Sequence, residues 1–500
     1  MSFKTHSSNG AIHRHGLRST PCTGSGQPPT VDRLITVKPL ITAQLQPDTT
    51  SSNSQCTSSI DSRIHLKHPS LQSNLLRHIP KGARSCAGLL LADVISRLIS
   101  DPSLLDNWKC LLSFGATILE VPKHGGKRHN LTSTIKKRTA DYFNNWRSKA
   151  DEIFGPIQHS RPRSHRRALD SDQSIAAAVT TKLEDGNIKA AAKILCSGES
   201  PAPICAQTFA ELRAKHPSPL PDTPAMPNTP TTQPIQITEI EIRNLIRTFP
   251  AGSAGGPDGL RPQHILELIN SPDAGPAVVS AITALVNLLL KGTCHEDLRP
   301  LLFGGTLFAL RKKSGGLRPI VIGYFWRRLA SKSANAFAVP RLAPYLSPRQ
   351  IGVGTPGGAE AAVHASRRFL QTMDTDSIFV KLDISNAFNS LCRVHMMSAV
   401  NSLIPEIAPY CHLAYAEKSQ LQYGSFTIQS EVGPQQGDPL GPLLFCLPLQ
   451  PILVKLSSPL VFGYLDDISL GGPTSMVAED CMILEKECST LGLTLNKSKC

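Results

Sequence analysis

Hydrophobic and polar positions divide the chain into stretches of different texture. Residues 1–84 are rich in Ser, Thr, Pro and Gln with little periodicity, and read as disordered. From there Leu89, Leu90, Val94, Leu98 and Ile99 recur at helical spacing, and Trp108, Phe114, Leu119, Tyr142, Phe143 and Trp146 can supply a small core. Residues 85–153 are therefore expected to form a small basic helical region. Residues 154–234 read as a linker with one Ala-rich helix at 174–196. Prolines at 217, 219, 221, 224, 227, 230 and 234 exclude regular structure over its last part, which reads as a semi-rigid spacer and the main domain boundary. From Ile235 onward, short apolar runs alternate with Gly and Pro punctuation, which predicts a mixed α and β domain over 235–500. Two runs stand out as strands: Ile378 to Leu382, ended by Asp383, and Leu460 to Leu465, ended by Asp466 and Asp467. Ser385 is placed to cap a helix beginning after the first.

Composition adds a partner class. The chain has 500 residues, 52 Lys and Arg against 38 Asp and Glu, and a formal net charge of +14. At one domain per ~150 residues this is roughly three units. The charge favours a polyanionic partner, nucleic acid before membrane. Thirteen cysteines without C-x-x-C spacing exclude a disulfide scaffold and a zinc finger, and point to reduced thiols in nucleus or cytoplasm. The apolar run Ala277 to Leu290 is shorter than the ~18–20 residues of a membrane span, and the amino terminus lacks the apolar core of a signal peptide. Basic residues at 123, 124, 127–129 and 136–138 read equally as a phosphate-binding face or a solvated helix face, and the run Arg161 to Arg167 as a nuclear-import signal or a nucleic-acid tether.

The acids carry the chemistry. A carboxylate at the end of a strand is placed to face a cleft, and Asp466-Asp467 sit where a hairpin must turn. Adjacent carboxylates with no Lys or Arg beside them repel unless a cation intervenes. Hard divalent ions with oxygen ligands answer that need, and a pair of them stabilises both the attacking and the leaving oxygen of a phosphoryl displacement.

Six segments, in order, resemble the reverse transcriptases of non-LTR, LINE-like retroelements. They are Ser253 to Gly259 (SAGGPDG), Gly315 to Ile320 (GGLRPI) after Arg311-Lys312-Lys313, Lys381 to Phe388 (KLDISNAF), Gly433 to Phe445 (GPQQGDPLGPLLF), Tyr464 to Asp467 (YLDD) and Leu491 to Cys500 (LGLTLNKSKC). The resemblance covers about 235–500. It implies an α+β, right-hand polymerase fold of fingers and palm, with an antiparallel palm sheet and packed helices, preceded by the largely disordered basic amino-terminal region and the small helical segment. It implies an RNA-directed DNA polymerase that uses Mg²⁺, with Mn²⁺ as a substitute, on an RNA template, a DNA primer or target, and dNTP. By the same resemblance Asp383, Asp466, Asp467 and the backbone carbonyl of Ile384 bind metal. Arg311, Lys312 and Arg318 hold the triphosphate, the fork of Arg318 suiting phosphate oxygens. Phe388 is the gate against a ribose 2′-hydroxyl, Gln436 and Gly437 pack on the nucleotide, and Lys499, with Lys497 as competitor, protonates the pyrophosphate. No thumb-like or nuclease-like segment is present, so these are expected outside this chain. A templated RNA polymerase and an RNA-binding remnant without turnover remain as alternatives. The hydrophobic trio Tyr324-Phe325-Trp326 has no role in this reading.

Overall fold

The computed structural model describes residues 75–122, 130–154, 171–196, 200–312 and 315–500, all within the unit Arg63–Cys500. The expectation for residues 1–74 lies outside these, as do residues 123–129, the run 161–167 and Lys313.

Among the described residues, eight strands form two sheets. β1 (Ser200–Pro201), β2 (Gly305–Arg311), β3 (Leu317–Ile322), β5 (Ser419–Tyr423) and β6 (Phe426–Ser430) make the first, in which β2 pairs antiparallel with β3 and parallel with β5. β4 (Ser377–Leu382), β7 (Leu460–Tyr464) and β8 (Asp467–Pro473) make the second, wholly antiparallel, in the order β4-β8-β7. The apolar run at 277–290 is the buried middle of the helix Gly275–Leu290. Among the described residues no helix is long and apolar enough to cross a membrane, and the cysteines are free thiols.

The helical region at 85–153 is not a separate small domain. The helix Arg84–Ser100 packs on Gly275–Leu290, and Leu91, Val94, Ile95 and Leu98 join one continuous core with Ile282, Leu285 and Val286. The part of the predicted disordered stretch that is described, residues 75–84, is also ordered. Ile79 is buried, its amide donates to Glu267 Oε2 at 2.7 Å, and the Leu76 amide donates to the Leu119 carbonyl at 2.8 Å. Arg138, counted among the basic face, turns inward and donates to the carbonyls of Ile118 and Glu120 at the end of the helix Leu105–Leu119, whereas Lys136 and Lys137 are exposed.

The predicted linker is likewise part of the fold. The Ala-rich stretch is two helices, Ser171–Glu184 and Ile188–Cys196, parted where Gly186 takes a positive φ of 70°. A third helix, Ala206–Ala214, buries Leu212 in a small core beneath the first sheet, and β1 adds a short edge to β2. Proline excludes helix and sheet from 216–234 but not packing: Asn228 accepts from Asn401 Nδ2, and the Ile235 amide donates to the Glu406 carbonyl.

Tyr324, Phe325 and Trp326 also find their place. They open the helix Phe325–Leu346, fully buried, with Phe325 against Phe249 and Trp326. The SAGGPDG loop wraps this corner. Arg328 donates to the Ala254 carbonyl, and a Cβ on Gly256 would stand 2.7 Å from Tyr324 Cα.

Candidate active site

The second sheet delivers the acids. Leu382 of β4 lies opposite Ile468 of β8, so the next residue, Asp383, emerges beside Asp467. Tyr464 and Asp467 close the β7–β8 hairpin, leaving a two-residue turn of Leu465 and Asp466. Such turns need a positive φ, which Leu465 supplies at 60° although a branched side chain disfavours it. The buried Gln350 holds this bend. Its Oε1 accepts from the Leu465 amide at 2.9 Å and its Nε2 donates to the Leu465 carbonyl at 3.1 Å. A Cβ on Gly352 would stand 2.7 Å from that amide nitrogen, so the approach requires glycine.

Ser385 does not cap a helix. Its amide instead donates to the Thr494 carbonyl, and the short helix Ala387–Ser390 begins after Asn386, which has a φ of 49°. Ile384 pairs with Leu495, and this bridge uses the Asp383 carbonyl and the Ser385 amide but not the carbonyl of Ile384. The bridge brings the last segment of the chain to the site. Asn496 donates from its amide to the Asp383 carbonyl at 2.8 Å and from Nδ2 to Asp383 Oδ2 at 3.0 Å, while Lys499 Nζ stands 3.6 Å from the same carboxylate. Lys497 pairs with Glu485 instead, so of the two lysines it is Lys499 that reaches the acids.

Electrostatics tie the three acids together. Burial, then the charges of Asp467 and Asp383, push the Asp466 carboxyl above the usual range, and Lys312 opposes this. The acids are not bare of cations, as their neighbours in sequence suggest. Lys381 Nζ lies 3.1 Å from Asp467 Oδ1, since residues 381 and 383 project from one face of β4. With Asp467 drawn to Lys381 and Asp383 to Asn496 and Lys499, no three acid, His or Cys side chains among the described residues already converge as a ligand set. The donors are nonetheless all oxygens, and the raised Asp466 marks a place where a cation would be stabilising. That chemistry fits hard divalent ions.

From the other sheet comes Lys312, half-buried just past β2. Burial and the charges of Arg318, Lys499 and Lys215 lower its pKa, while Asp383 raises it. Arg318 is exposed on β3. Arg311 is not brought to the acids. It lies opposite Leu317, so it takes the other face of the strand, where its charge acts on Cys205 and Tyr423.

Phe388 is half-buried with its ring stacked on Phe445 at 4.9 Å. Gln436 and Gly437 make their closest backbone approach to β3. The Gln436 carbonyl accepts from the Val321 amide at 2.8 Å, and Gly437, at a φ of 124°, leaves no Cβ to strike the Val321 carbonyl. Thus the glycine first serves strand packing. Gln436 Oε1 is buried without a hydrogen-bond partner among the described residues.

Several residues that hold this loop have no motif to reveal them. Arg327, buried, pairs with Asp438 at 2.9 Å and donates to Gln435 Oε1, while the Tyr415 hydroxyl donates to Asp438 Oδ2. Arg393, also buried, donates to the Gly433 carbonyl and to Ser430 Oγ. Both arginines lie in helices that carry other polar residues, so nothing in the sequence set them apart.

Residues 310–500 match the family model described as reverse transcriptase (RNA-dependent DNA polymerase). This segment is similar to reverse transcriptases. It contains every acid placed above, both ends of the β7–β8 hairpin and the 433–438 loop. The chain is also 26% identical over 292 residues to the retrotransposable element SLACS 132 kDa protein of Trypanosoma brucei gambiense, covering 55% of this chain and 24% of that protein. The chain therefore spans about a quarter of the length of this relative.

Proposed function

We propose that the chain is an RNA-directed DNA polymerase of a non-LTR-type retrotransposon, with the second sheet as palm, the first as fingers, and two Mg²⁺ ions held by Asp383, Asp466, Asp467 and the Ile384 carbonyl. One observation carries this reading: the strand register sets Asp383 beside Asp467 with Asp466 on the adjoining turn, and Lys312 and Lys499 face them. The bound ions would neutralise the attacking and leaving oxygens of an in-line displacement. The acids fix where the primer terminus and triphosphate meet. Lys312 and Arg318 would bind the triphosphate, and Lys499, 3.6 Å from Asp383 Oδ2, would give a proton to the departing pyrophosphate. Phe388, braced by Phe445, bars the 2′-hydroxyl, and the unpaired Gln436 Oε1 is an acceptor for the nucleotide side of the cleft.

Primer extension on an RNA template, with dNTP or rNTP and with or without Mg²⁺, tests this. The full chain is expected to extend with dNTP and Mg²⁺, and Asp466→Ala to lose extension while keeping RNA. Unchanged extension in that variant refutes the assignment. Preference for rNTP makes the chain an RNA polymerase, and RNA binding without any extension makes it a remnant.

A further inference from the structure

The residues ahead of the matched segment reach its acid-bearing loop. The helix Ala206–Ala214 is pinned to the first sheet at both ends. Before it, the Ala202 amide donates to the Ala309 carbonyl, and the Tyr423 hydroxyl donates to the Pro203 carbonyl at 2.9 Å. Along it, Leu212 is fully buried and the Phe209 ring stacks on Phe426 at 4.4 Å. Its closing residue is Lys215. The Lys215 carbonyl accepts from Asn386 Nδ2 at 2.9 Å, and Asn386 lies between Asp383 and Phe388. So a rigid arm ends against the loop that joins an acid to the proposed sugar gate. Lys215 is a partly buried residue, and its charge acts on Lys312, as do those of Arg318 and Lys499. Asp383 offsets part of this repulsion, and a dense polyanion would offset more of it.

We propose that Lys215 is a binding contact for the triphosphate of the incoming nucleotide, set in place by the Ala206–Ala214 arm. This rests on the polymerase reading above. Nucleic-acid phosphates offer the same chemistry, but Lys215 adjoins the loop behind the proposed sugar gate and shares its field with Lys312 and Arg318, which favours the triphosphate. Replacing Lys215 leaves its backbone carbonyl, and hence the bond from Asn386, in place. A side-chain substitution therefore probes the ammonium alone.

The experiment uses the full chain with Lys215→Gln and Lys215→Arg. Two readouts are taken: KM and kcat for dATP on a primed RNA template with Mg²⁺, and equilibrium binding of dATP to enzyme carrying a dideoxy-terminated primer. A charge-assisted phosphate contact is expected to be worth about tenfold, so Lys215→Gln raises KM and the dATP Kd by about that factor. The same variant leaves kcat and primer–template affinity within about twofold, and Lys215→Arg restores most of the loss. If KM and dATP binding are unchanged in Lys215→Gln, or if primer–template affinity falls instead, the inference is overturned. If wild type binds dATP but does not extend, the polymerase reading fails, and weaker dATP binding in Lys215→Gln still upholds the contact.

Discussion

Asp258 offers a test of how the SAGGPDG loop is anchored. Its side chain is 2% exposed, and burial pushes its carboxyl up to about 7. The Leu260 amide donates to it at 3.2 Å, and the nearby Arg328 guanidinium favours ionisation, but Arg328 is bonded to the Ala254 carbonyl. The sign follows from linkage. The unfolded carboxyl titrates near its ordinary value of 3.8, so between that and about 7 the folded chain holds a proton that the unfolded chain has lost. Stability from this group is therefore complete below the unfolded value, falls as pH rises, and levels off above the folded value. At ~1.4 kcal/mol per pH unit, the roughly two units between about pH 5 and pH 7 come to about 3 kcal/mol. Asp258→Asn keeps the acceptor for Leu260 and removes the titration. Urea unfolding followed by tryptophan fluorescence, at about pH 5 and about pH 8, is expected to show the variant gaining about 3 kcal/mol on wild type across that window. Parallel stability curves for the two proteins would refute the reasoning and mean that Asp258 stays ionised beside Arg328.

Two further outcomes are expected. Phe388→Ala should cost about 2 kcal/mol by denaturation, less than a fully buried ring, and should lower discrimination between dNTP and rNTP by about tenfold or more in primer extension; stability loss with unchanged discrimination would reduce Phe388 to packing. Asp438→Asn leaves Arg327 buried without its carboxylate and should lower stability by about 3–5 kcal/mol in urea titration, and a loss under about 1 kcal/mol would show that Gln435 and Tyr415 suffice.

Much of the site was legible because its signals are local. The apolar runs ending in Asp383 and in Asp466-Asp467 are strands, and the turn between β7 and β8 falls where the acids interrupt the run. What was not legible depends on partners distant in sequence. Lys312 and Arg311 are neighbours, yet only one reaches the acids, because the end of β2 decides which face each takes. The spacer reading of 216–234 left packing unseen because prolines report backbone geometry and are silent about what a chain packs against. The acids looked uncompensated because Lys381 is two residues from Asp383 but meets Asp467 across the sheet. Gln350, Arg327 and Lys215 act on residues more than a hundred positions away, where no spacing rule applies.

The Leu465 bend has a consequence for how the hairpin forms. A leucine in the left-handed region is disfavoured by ~1–2 kcal/mol, so residues 460–473 alone are biased against this hairpin. The missing stabilisation comes from Gln350, in the segment that follows the helix Phe325–Leu346 and bridges to Gly463. The hairpin thus takes its native bend only together with the segment around Gln350, more than a hundred positions earlier in the chain.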